Sequence, residues 1–206
     1  MKQKTRLVIL IILILSFVTI SWVVVTKNAA ILRFDNSVTN YFDNLRFPTL
    51  DDFMLIITKI GNTYESLLIF IIIATILIAR KKKTFFYILT IAAALGSILQ
   101  FGLKYIFERA RPIGGLVKET TYSFPSGHAT ISAIFLISVI LLIVPLIKNT
   151  FMKWVFGVAA TILFALVAAS RIFLWVHWPS DVIAGLLLGA TCYIIATLIV
   201  DFEARA

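Results

Sequence analysis

The chain has 206 residues, of which 61% are hydrophobic and 14% are charged, and its mean hydropathy is +1.02. Soluble domains are about 45–50% apolar and about 25% charged, so this composition excludes an ordinary soluble domain. The formal net charge of +9 does not indicate nucleic-acid binding. Basic residues commonly flank membrane spans and fix their orientation, and no soluble basic surface remains to hold a duplex.

Five uncharged runs predict membrane-crossing helices, since each is close to the roughly 20 residues that a span requires. They cover residues 7–26, 84–103, 129–147, 154–170 and 182–200. A sixth run, 66–79, reaches full length only by recruiting residues from Phe53 onward, and Lys59 and Glu65 then need polar surroundings. We therefore predict an all-α fold, a six-span transmembrane helix bundle in which residues 1–206 form one integral membrane domain.

The first run follows Lys2, Lys4 and Arg6, so a secretory signal peptide is the alternative to a membrane span. A cleaved signal has a shorter apolar core that is followed by a small-residue cleavage site. Here the core is long and only the weak segment 28–30 follows it, which favours an uncleaved span. The single cysteine, Cys192, lies in the last apolar run and cannot form an internal disulfide.

The orientation of the spans rests on one basic cluster. With the amino terminus in the cytoplasm, six spans leave ten Lys and Arg residues inside and nine outside, a balance that decides nothing alone. The densest group, residues 80–83, lies between two close spans and therefore points inward. We expect both termini in the cytoplasm of a plasma-membrane protein. The inner residues are Lys2, Lys4, Arg6, Arg80, Lys81, Lys82, Lys83, Lys148, Lys153 and Arg205.

The longest stretch outside the spans, residues 27–62, predicts a short extracytoplasmic helix. Apolar residues recur in it at helical spacing: Val38, Tyr41, Phe42 and Leu45. Such a helix either lies on the outer membrane surface as an interfacial helix or packs over the mouth of the bundle. Gly61 and Asn62 predict a break before the second span.

The sequence contains two histidines, His128 and His177, and each stands at the mouth of an apolar run. In the predicted topology both mouths open to the outer side. A lone histidine is usually structural, but two on one face, each within a polar cluster, indicate chemistry.

The first polar cluster comprises Lys104, six further residues, and then Arg111 and Pro112. If the helix continues past Lys104, Arg111 lies two turns further along the same face, and Pro112 ends the helix. Charged side chains near the membrane carry a cost and often mark a function. Taken alone, the two cations could instead extend toward lipid headgroups.

The second polar cluster, Pro125-Ser126-Gly127-His128, opens the fourth span. Proline fits the first turn of a helix. The backbone N–H groups of Ser126, Gly127 and His128 then lie at a positive helix end, which is suited to an anion. An ordinary helix start is the alternative, but it does not explain His128.

The third polar cluster is Ser170-Arg171, five further residues, His177, three further residues and Asp181. The spacing of His177 and Asp181 lets the carboxylate reach the imidazole, fix its tautomer and leave the other ring nitrogen free. Arg171 offers a planar fork that suits phosphate.

Together, the three clusters resemble the tripartite signature of the type 2 phosphatidic acid phosphatase family, which they match at every position from Lys104 to Asp181. The resemblance implies a membrane lipid phosphatase. Such an enzyme acts on the terminal phosphate of phosphatidylglycerophosphate, undecaprenyl diphosphate or phosphatidate.

The resemblance also implies roles for the residues. His177 attacks phosphorus and forms a phosphohistidine, Asp181 orients His177, and His128 protonates the leaving oxygen and then activates water. The reverse assignment of the two histidines stays open in principle. The phosphate-binding residues would be Lys104, Arg111, Ser126, Gly127 and Arg171.

We predict no metal and no cofactor. Mg²⁺ sites need carboxylates, Asp181 already has a partner, and Glu108 and Glu119 are interpreted as loop charges. The expected partners are the lipid phosphate and the bilayer, with no nucleic acid and no obligate protein partner. The alternative is a lipid or anion transporter that uses the same cations for binding. Transporters usually contain repeats or paired broken helices, and the sequence suggests neither.

Overall fold

A computed structural model describes residues 3–203, and all regular structure within them is helical. Lys2 and Arg205, which entered the topology argument, lie outside the described residues. The helices are α1 (Gln3–Val25), α2 (Ala29–Asn44), α3 (Pro48–Lys59), α4 (Thr63–Ala79), α5 (Lys83–Phe107), α6 (Gly127–Ser138), α7 (Thr150–Phe173) and α8 (Pro179–Glu203).

Five helices are long and apolar enough to cross a membrane, and each coincides with a predicted span. They are α1, α5, α6, α7 and α8. Helix α6 reaches spanning length because it continues through a π-helical turn, Val139–Ile143, and a 3₁₀ turn, Val144–Leu146. Large apolar side chains on α1, such as Leu15 and Trp22, are 60% and 69% exposed. An extended exposed apolar face of this kind is suited to contact with lipid.

The region of the sixth predicted span forms two helices rather than one. Helices α3 and α4 are apolar and long enough only when taken together, and they meet at an angle of 55°. The break falls at Gly61 and Asn62, as the sequence predicts. Gly61 lies against His128, and a Cβ atom there would collide with the imidazole ring. The break therefore brings the α3–α4 junction into direct contact with a predicted site residue.

Helix α8 lies at the centre of the bundle and packs against α1, α5 and α6. Its contact with α6 is close, because Gly185 and Gly189 face the carbonyl oxygens of Ser126 and Thr130 with no room for a Cβ atom. Small residues four apart allow this kind of backbone approach in membrane helices. The contact places the amino-terminal ends of α6 and α8, which carry His128 and Asp181, side by side.

Helix α2 is the helix predicted between the first two spans. Val38 and Phe42 pack onto the ends of α7 and α8, whereas Tyr41 and Leu45 are exposed. The helix therefore packs over the end of the bundle and keeps an exposed apolar edge. Its depth relative to the membrane surface stays a prediction.

Candidate active site

The three polar clusters meet around one cavity of about 930 Å³. It lies between the α3–α4 junction, α5, the loop 108–126 and the start of α6. Charged and polar side chains from these four segments and from the turn between α7 and α8 line its wall, among them Asn62, Lys104, Arg111, Glu119, His128 and His177. Asp181, Ser126 and Arg171 are buried behind this wall.

His177 is buried in the turn between α7 and α8, and each of its ring nitrogens has a distinct neighbour. Nδ1 lies 3.4 Å from Oδ2 of Asp181 and 3.3 Å from Oγ of Ser123. Ser123 donates its only hydroxyl hydrogen to Asp181, so both neighbours of Nδ1 are acceptors.

The other nitrogen, Nε2 of His177, lies 3.3 Å from Nη1 of Arg111. A guanidinium group can only donate hydrogen bonds. The proton of the neutral ring therefore resides on Nδ1, and Nε2 presents its lone pair.

Burial lowers the pKa of His177 to about 4, although the adjacent Asp181 opposes this effect. The imidazole is therefore neutral near pH 7. A neutral ring with an unprotonated Nε2 is the form that a nitrogen nucleophile requires.

Asp181 is fully buried and accepts several hydrogen bonds. The donors are the Ser123 hydroxyl, the Trp178 backbone N–H at 2.9 Å and Nη1 of Arg109 at 2.5 Å. Neither Ser123 nor Arg109 is among the residues that the sequence identifies. Arg109 falls within the six-residue spacer of the first cluster, where the motif gives no information on residue type.

The helix carrying Lys104 ends before Arg111, so the condition under which the two cations would share a helix face is not met. Helix α5 ends at Phe107, and Glu108 adopts a left-handed backbone conformation with φ 45°. Arg111 instead lies in the loop 108–126, where it donates to the carbonyl oxygens of Thr121 and Val176 at 2.8 and 2.6 Å. The loop still brings its guanidinium to the cavity beside His177.

The other two predicted cations, Lys104 and Arg171, are each held by a hydrogen bond to a protein oxygen. Lys104 is buried, and its Nζ donates to the carbonyl oxygen of Tyr122 at 2.6 Å. Nη1 of Arg171 donates to Oγ1 of Thr58 at 2.6 Å. All three cations are thus held by protein acceptors at fixed positions, which is the preorganisation that stabilises developing charge.

Glu119 is not the simple loop charge that the sequence suggests. Its Oε1 forms an ion pair with Arg171, and its Oε2 lies 3.7 Å from Nη2 of Arg111. Burial raises the pKa of Glu119, but the two arginines lower it more, so its pKa lies below the usual value. An ionised carboxylate therefore occupies the space between two predicted phosphate ligands.

His128 lies in the first turn of α6 on the cavity wall. Its Nε2 is 3.1 Å from Oδ1 of Asn62. Because a carbonyl oxygen only accepts, Nε2 carries a hydrogen here. The α3–α4 break at Gly61 and Asn62 thus orients this histidine, a function that the sequence does not suggest.

The start of α6 supplies fewer free backbone donors than predicted. The helix begins at Gly127, and Pro125 precedes it rather than occupying its first turn. The Ser126 N–H donates to the carbonyl oxygen of Asp181 at 3.0 Å, so it is engaged in linking α6 to α8. The Ser126 hydroxyl is buried and has no partner among residues 3–203. Gly127 and His128 both line the cavity.

Across the described residues, no group of three or more His, Cys, Asp or Glu side chains is arranged to hold a metal ion. The predicted cations Lys104, Arg111 and Arg171 supply positive charge at the site, and Lys118 also lines the cavity.

Residues 83–205, more than half of the chain, match the PAP2 superfamily. The chain belongs to this superfamily. The matched region contains all three polar clusters and the helices α5 to α8 that position them.

Two PAP2 relatives cover most of this chain. It is 29% identical over 158 residues to an undecaprenyl-diphosphatase of Sulfolobus acidocaldarius. The alignment covers 70% of this chain and 68% of that protein. It is 27% identical over 162 residues to phosphatidylglycerophosphatase B of Bacillus subtilis, with coverage of 78% and 80%.

Two solved structures share the fold. A transmembrane PAP2 type phosphatidylglycerolphosphate phosphatase from Bacillus subtilis superposes with a TM-score of 0.75 at 24% identity, covering 95% of this chain and 96% of that one. LpxE from Aquifex aeolicus gives a TM-score of 0.60 at 24% identity, with coverage of 78% and 92%. With its five apolar spanning helices, this PAP2 protein is a multi-pass membrane protein.

Proposed function

We propose that this protein is a lipid phosphatase that removes the terminal phosphate of a lipid phosphate through a phosphohistidine on His177. One observation carries the proposal. His177 lies between a carboxylate on Nδ1 and a guanidinium on Nε2, on the wall of a cavity that extends between α4 and α5. The names of the two relatives, an undecaprenyl-diphosphatase and a phosphatidylglycerophosphatase B, support this class of substrate.

The first chemical step uses the lone pair of His177. A phosphoryl group held by Arg111 has its phosphorus within reach of Nε2. A bond forms from Nε2 to phosphorus, and the bond from phosphorus to the lipid oxygen breaks. His128, protonated on both ring nitrogens when the phosphate dianion is bound, passes its Nε2 hydrogen to that oxygen as a general acid and is left as a neutral imidazole. Asp181 balances the positive charge that develops on the His177 ring.

The second step hydrolyses the phosphohistidine. His128, now unprotonated, takes a proton from a water molecule whose oxygen attacks phosphorus. The Nε2–phosphorus bond breaks and inorganic phosphate leaves. Lys104, Arg111 and Arg171 bind the equatorial oxygens in both steps, where phosphoryl transfer spreads its charge. Gly127 supplies a backbone donor, and Ser126 supports that helix end.

The substrate is proposed to enter from the bilayer. Away from the two histidines, the cavity runs between α4 and α5. Apolar residues line it there together with polar ones: Leu67, Phe70, Ala93, Ala94 and Phe101 beside Ser66, Thr90, Ser97 and Gln100. A lipid can keep its chains there and present only its headgroup, which concentrates and orients the phosphate. Phosphatidylglycerophosphate is the favoured substrate, followed by undecaprenyl diphosphate, and phosphatidate is a further candidate.

The proposed topology follows from which ends of the helices meet. The three polar clusters lie at one end of the bundle, whereas residues 80–83 join α4 to α5 at the other end. We propose that this basic turn is cytoplasmic, that α3 and α4 form the sixth span, and that residues 1–206 form one domain. Both termini are then cytoplasmic, and the site opens on the outer face of the plasma membrane.

We further propose that the reaction needs no metal, no cofactor and no obligate protein partner. The three cations supply the electrostatic stabilisation that Mg²⁺ provides in other phosphatases. Two of the nearest carboxylates, Glu119 and Asp181, already pair with arginines.

The test is phosphate release by the purified protein from phosphatidylglycerophosphate, undecaprenyl diphosphate, phosphatidate and a soluble sugar phosphate. We expect the lipids to be far better substrates by kcat/KM, and His177→Ala to abolish release. Equal efficiency on the soluble phosphate would refute the lipid assignment. Binding without hydrolysis by the wild-type protein would favour a lipid or anion carrier instead.

A further inference from the structure

A buried ion-pair network lies behind the proposed nucleophile and joins Asp181 of the third cluster to two residues that no motif specifies. Arg109 forms its centre and bridges two carboxylates. Its Nη1 is 2.5 Å from Oδ1 of Asp181, and its Nη2 is 2.6 Å from Oδ2 of Asp35. The Asp35 and Asp181 residues are 1% and 0% exposed. Burying such charges is costly unless they are paired and hydrogen-bonded. Loss of any one partner would therefore leave a buried charge without compensation.

Asp35 holds Arg109 from the side of α2. Its Oδ1 accepts the backbone N–H of Ser180 at 2.9 Å, and its Oδ2 accepts the Ser180 hydroxyl at 2.7 Å. The Ser180 hydroxyl also accepts a hydrogen bond from Nη1 of Arg109 at 2.7 Å. Asp35 thus caps the first turn of α8, where a negative charge is favourable, and fixes the guanidinium at the same time.

The network acts on one oxygen of Asp181 in particular. Oδ2 faces Ser123, the Trp178 N–H and His177. Oδ1 is bonded to Arg109, its one protein donor among the described residues. Removing Arg109 would leave Oδ1 unsatisfied and let the carboxylate rotate away from Nδ1 of His177.

We infer that Arg109 and Asp35 are positioning residues, which hold Asp181 ionised and aligned on His177 without touching the substrate. Neither residue lines the cavity, whose wall includes Lys104, Arg111 and His177. The inference rests on the proposed phosphatase function. It extends the machinery from the three motifs to α2, a helix outside the region that matches the family.

The test compares Asp35→Asn and Arg109→Lys in the purified full-length protein by rapid quench with a labelled lipid phosphate. Each variant should lower the rate constant for phosphoenzyme formation by about 10- to 100-fold, the usual cost of losing a partner that orients a site residue. The fraction of monodisperse protein and the affinity for inorganic phosphate, which forms no bond to His177, should stay within about twofold of wild type, since the phosphate ligands are intact. The double variant should be no slower than the slower single variant, because the residues act in series.

Asp51→Asn is the matched control, because Asp51 pairs with Arg46 at 3.0 Å and does not line the cavity. It should leave all constants unchanged. A reduced fraction of monodisperse protein with a normal rate constant in Asp35→Asn would mean a merely structural role and would overturn the inference. Multiplicative effects in the double variant would overturn it too. If Arg109→Lys does not fold, a normal rate constant in Asp35→Asn suffices to reject it. Absence of turnover in the wild type would instead refute the proposed function, and the inference with it.

Discussion

Arg111 faces the unprotonated nitrogen of His177, with Nη1 lying 3.3 Å from Nε2. The same guanidinium is fixed by the carbonyl oxygens of Thr121 and Val176. A phosphate that binds Arg111 therefore arrives next to the lone pair that would attack it. The two histidines therefore differ in what their Nε2 atoms present. His177 presents a lone pair, whereas His128 presents a hydrogen, which points toward Asn62.

His177→Ala is expected to abolish turnover, because no route to the phosphoenzyme remains. His128→Ala should retain slow phosphoenzyme formation and lower kcat by about 10²- to 10⁴-fold, the usual contribution of general acid–base catalysis. Quenched-flow trapping of the labelled intermediate distinguishes the two variants. A phosphoenzyme that forms normally in His177→Ala would contradict this assignment.

Glu119→Gln is expected to strengthen vanadate binding and lower KM by several-fold. The carboxylate pairs with Arg171 and Arg111 in the absence of substrate, and a phosphate must take over those donors. Glu108→Gln is the control, since Glu108 is on the same loop and bonds the exposed Tyr122 hydroxyl. Weaker vanadate binding by Glu119→Gln than by wild type would show that Glu119 organises the arginines rather than competing for them.

The stability of the fold should depend on the ionisation of His177. Its pKa is about 4 in the folded protein because of burial and about 6.5 in an unfolded chain. Between these values the unfolded chain binds a proton that the folded protein does not, so stability rises with pH across this window. We expect Tm in detergent to fall as the pH is lowered from about 7 to about 4. The Tm of His177→Gln should fall less steeply over the same pH range. Parallel curves of Tm against pH for the variant and the wild type would argue against a buried neutral imidazole.

Activity should persist in excess chelator and be blocked by vanadate. Vanadate adopts the five-coordinate geometry of phosphoryl transfer, so a site built for that transition state binds it tightly. The measurement is phosphate release with and without chelator, followed by titration with vanadate. Complete loss of release in chelator, restored by Mg²⁺, would show that a metal takes part.

Cysteine labelling in intact cells tests the orientation. A cysteine near Gly114, such as Ile113→Cys at a position that is 91% exposed, should react with an impermeant reagent, and one near Lys82 should not. The native Cys192 is fully buried and contributes little background. The reverse labelling pattern would invert the proposed topology.

The spans and the motif residues follow from the sequence because both signals are local. A run of about 20 apolar residues has few alternatives to a membrane helix, and five such runs became α1, α5, α6, α7 and α8. The end of α5 was missed for a physical reason. No Gly or Pro stands between Lys104 and Arg111, yet the chain leaves the helix at Glu108 through a left-handed conformation.

The supporting residues of the site could not be predicted, since their partners are distant in the chain. Arg109 meets Asp35 across 74 positions, His128 meets Asn62 across 66, and Arg171 meets Glu119 across 52. No periodicity or spacing encodes such pairs. Asp35 in particular is one of two acidic residues in the amphipathic helix α2, where a solvent-facing position is the ordinary expectation for a carboxylate.

The glycine contact between α8 and α6 constrains how the protein could adapt to other lipids. Gly185 and Gly189 bring two backbones together, so the gap between the helix ends that carry His128 and Asp181 is set by main-chain thickness. Spreading these helices to admit a bulkier headgroup would separate the reacting groups. Adaptation to substrates of different size is therefore expected on the opposite wall, formed by α4 and α5. Side chains there, such as Leu67 and Phe101, can be substituted without moving His128 or Asp181.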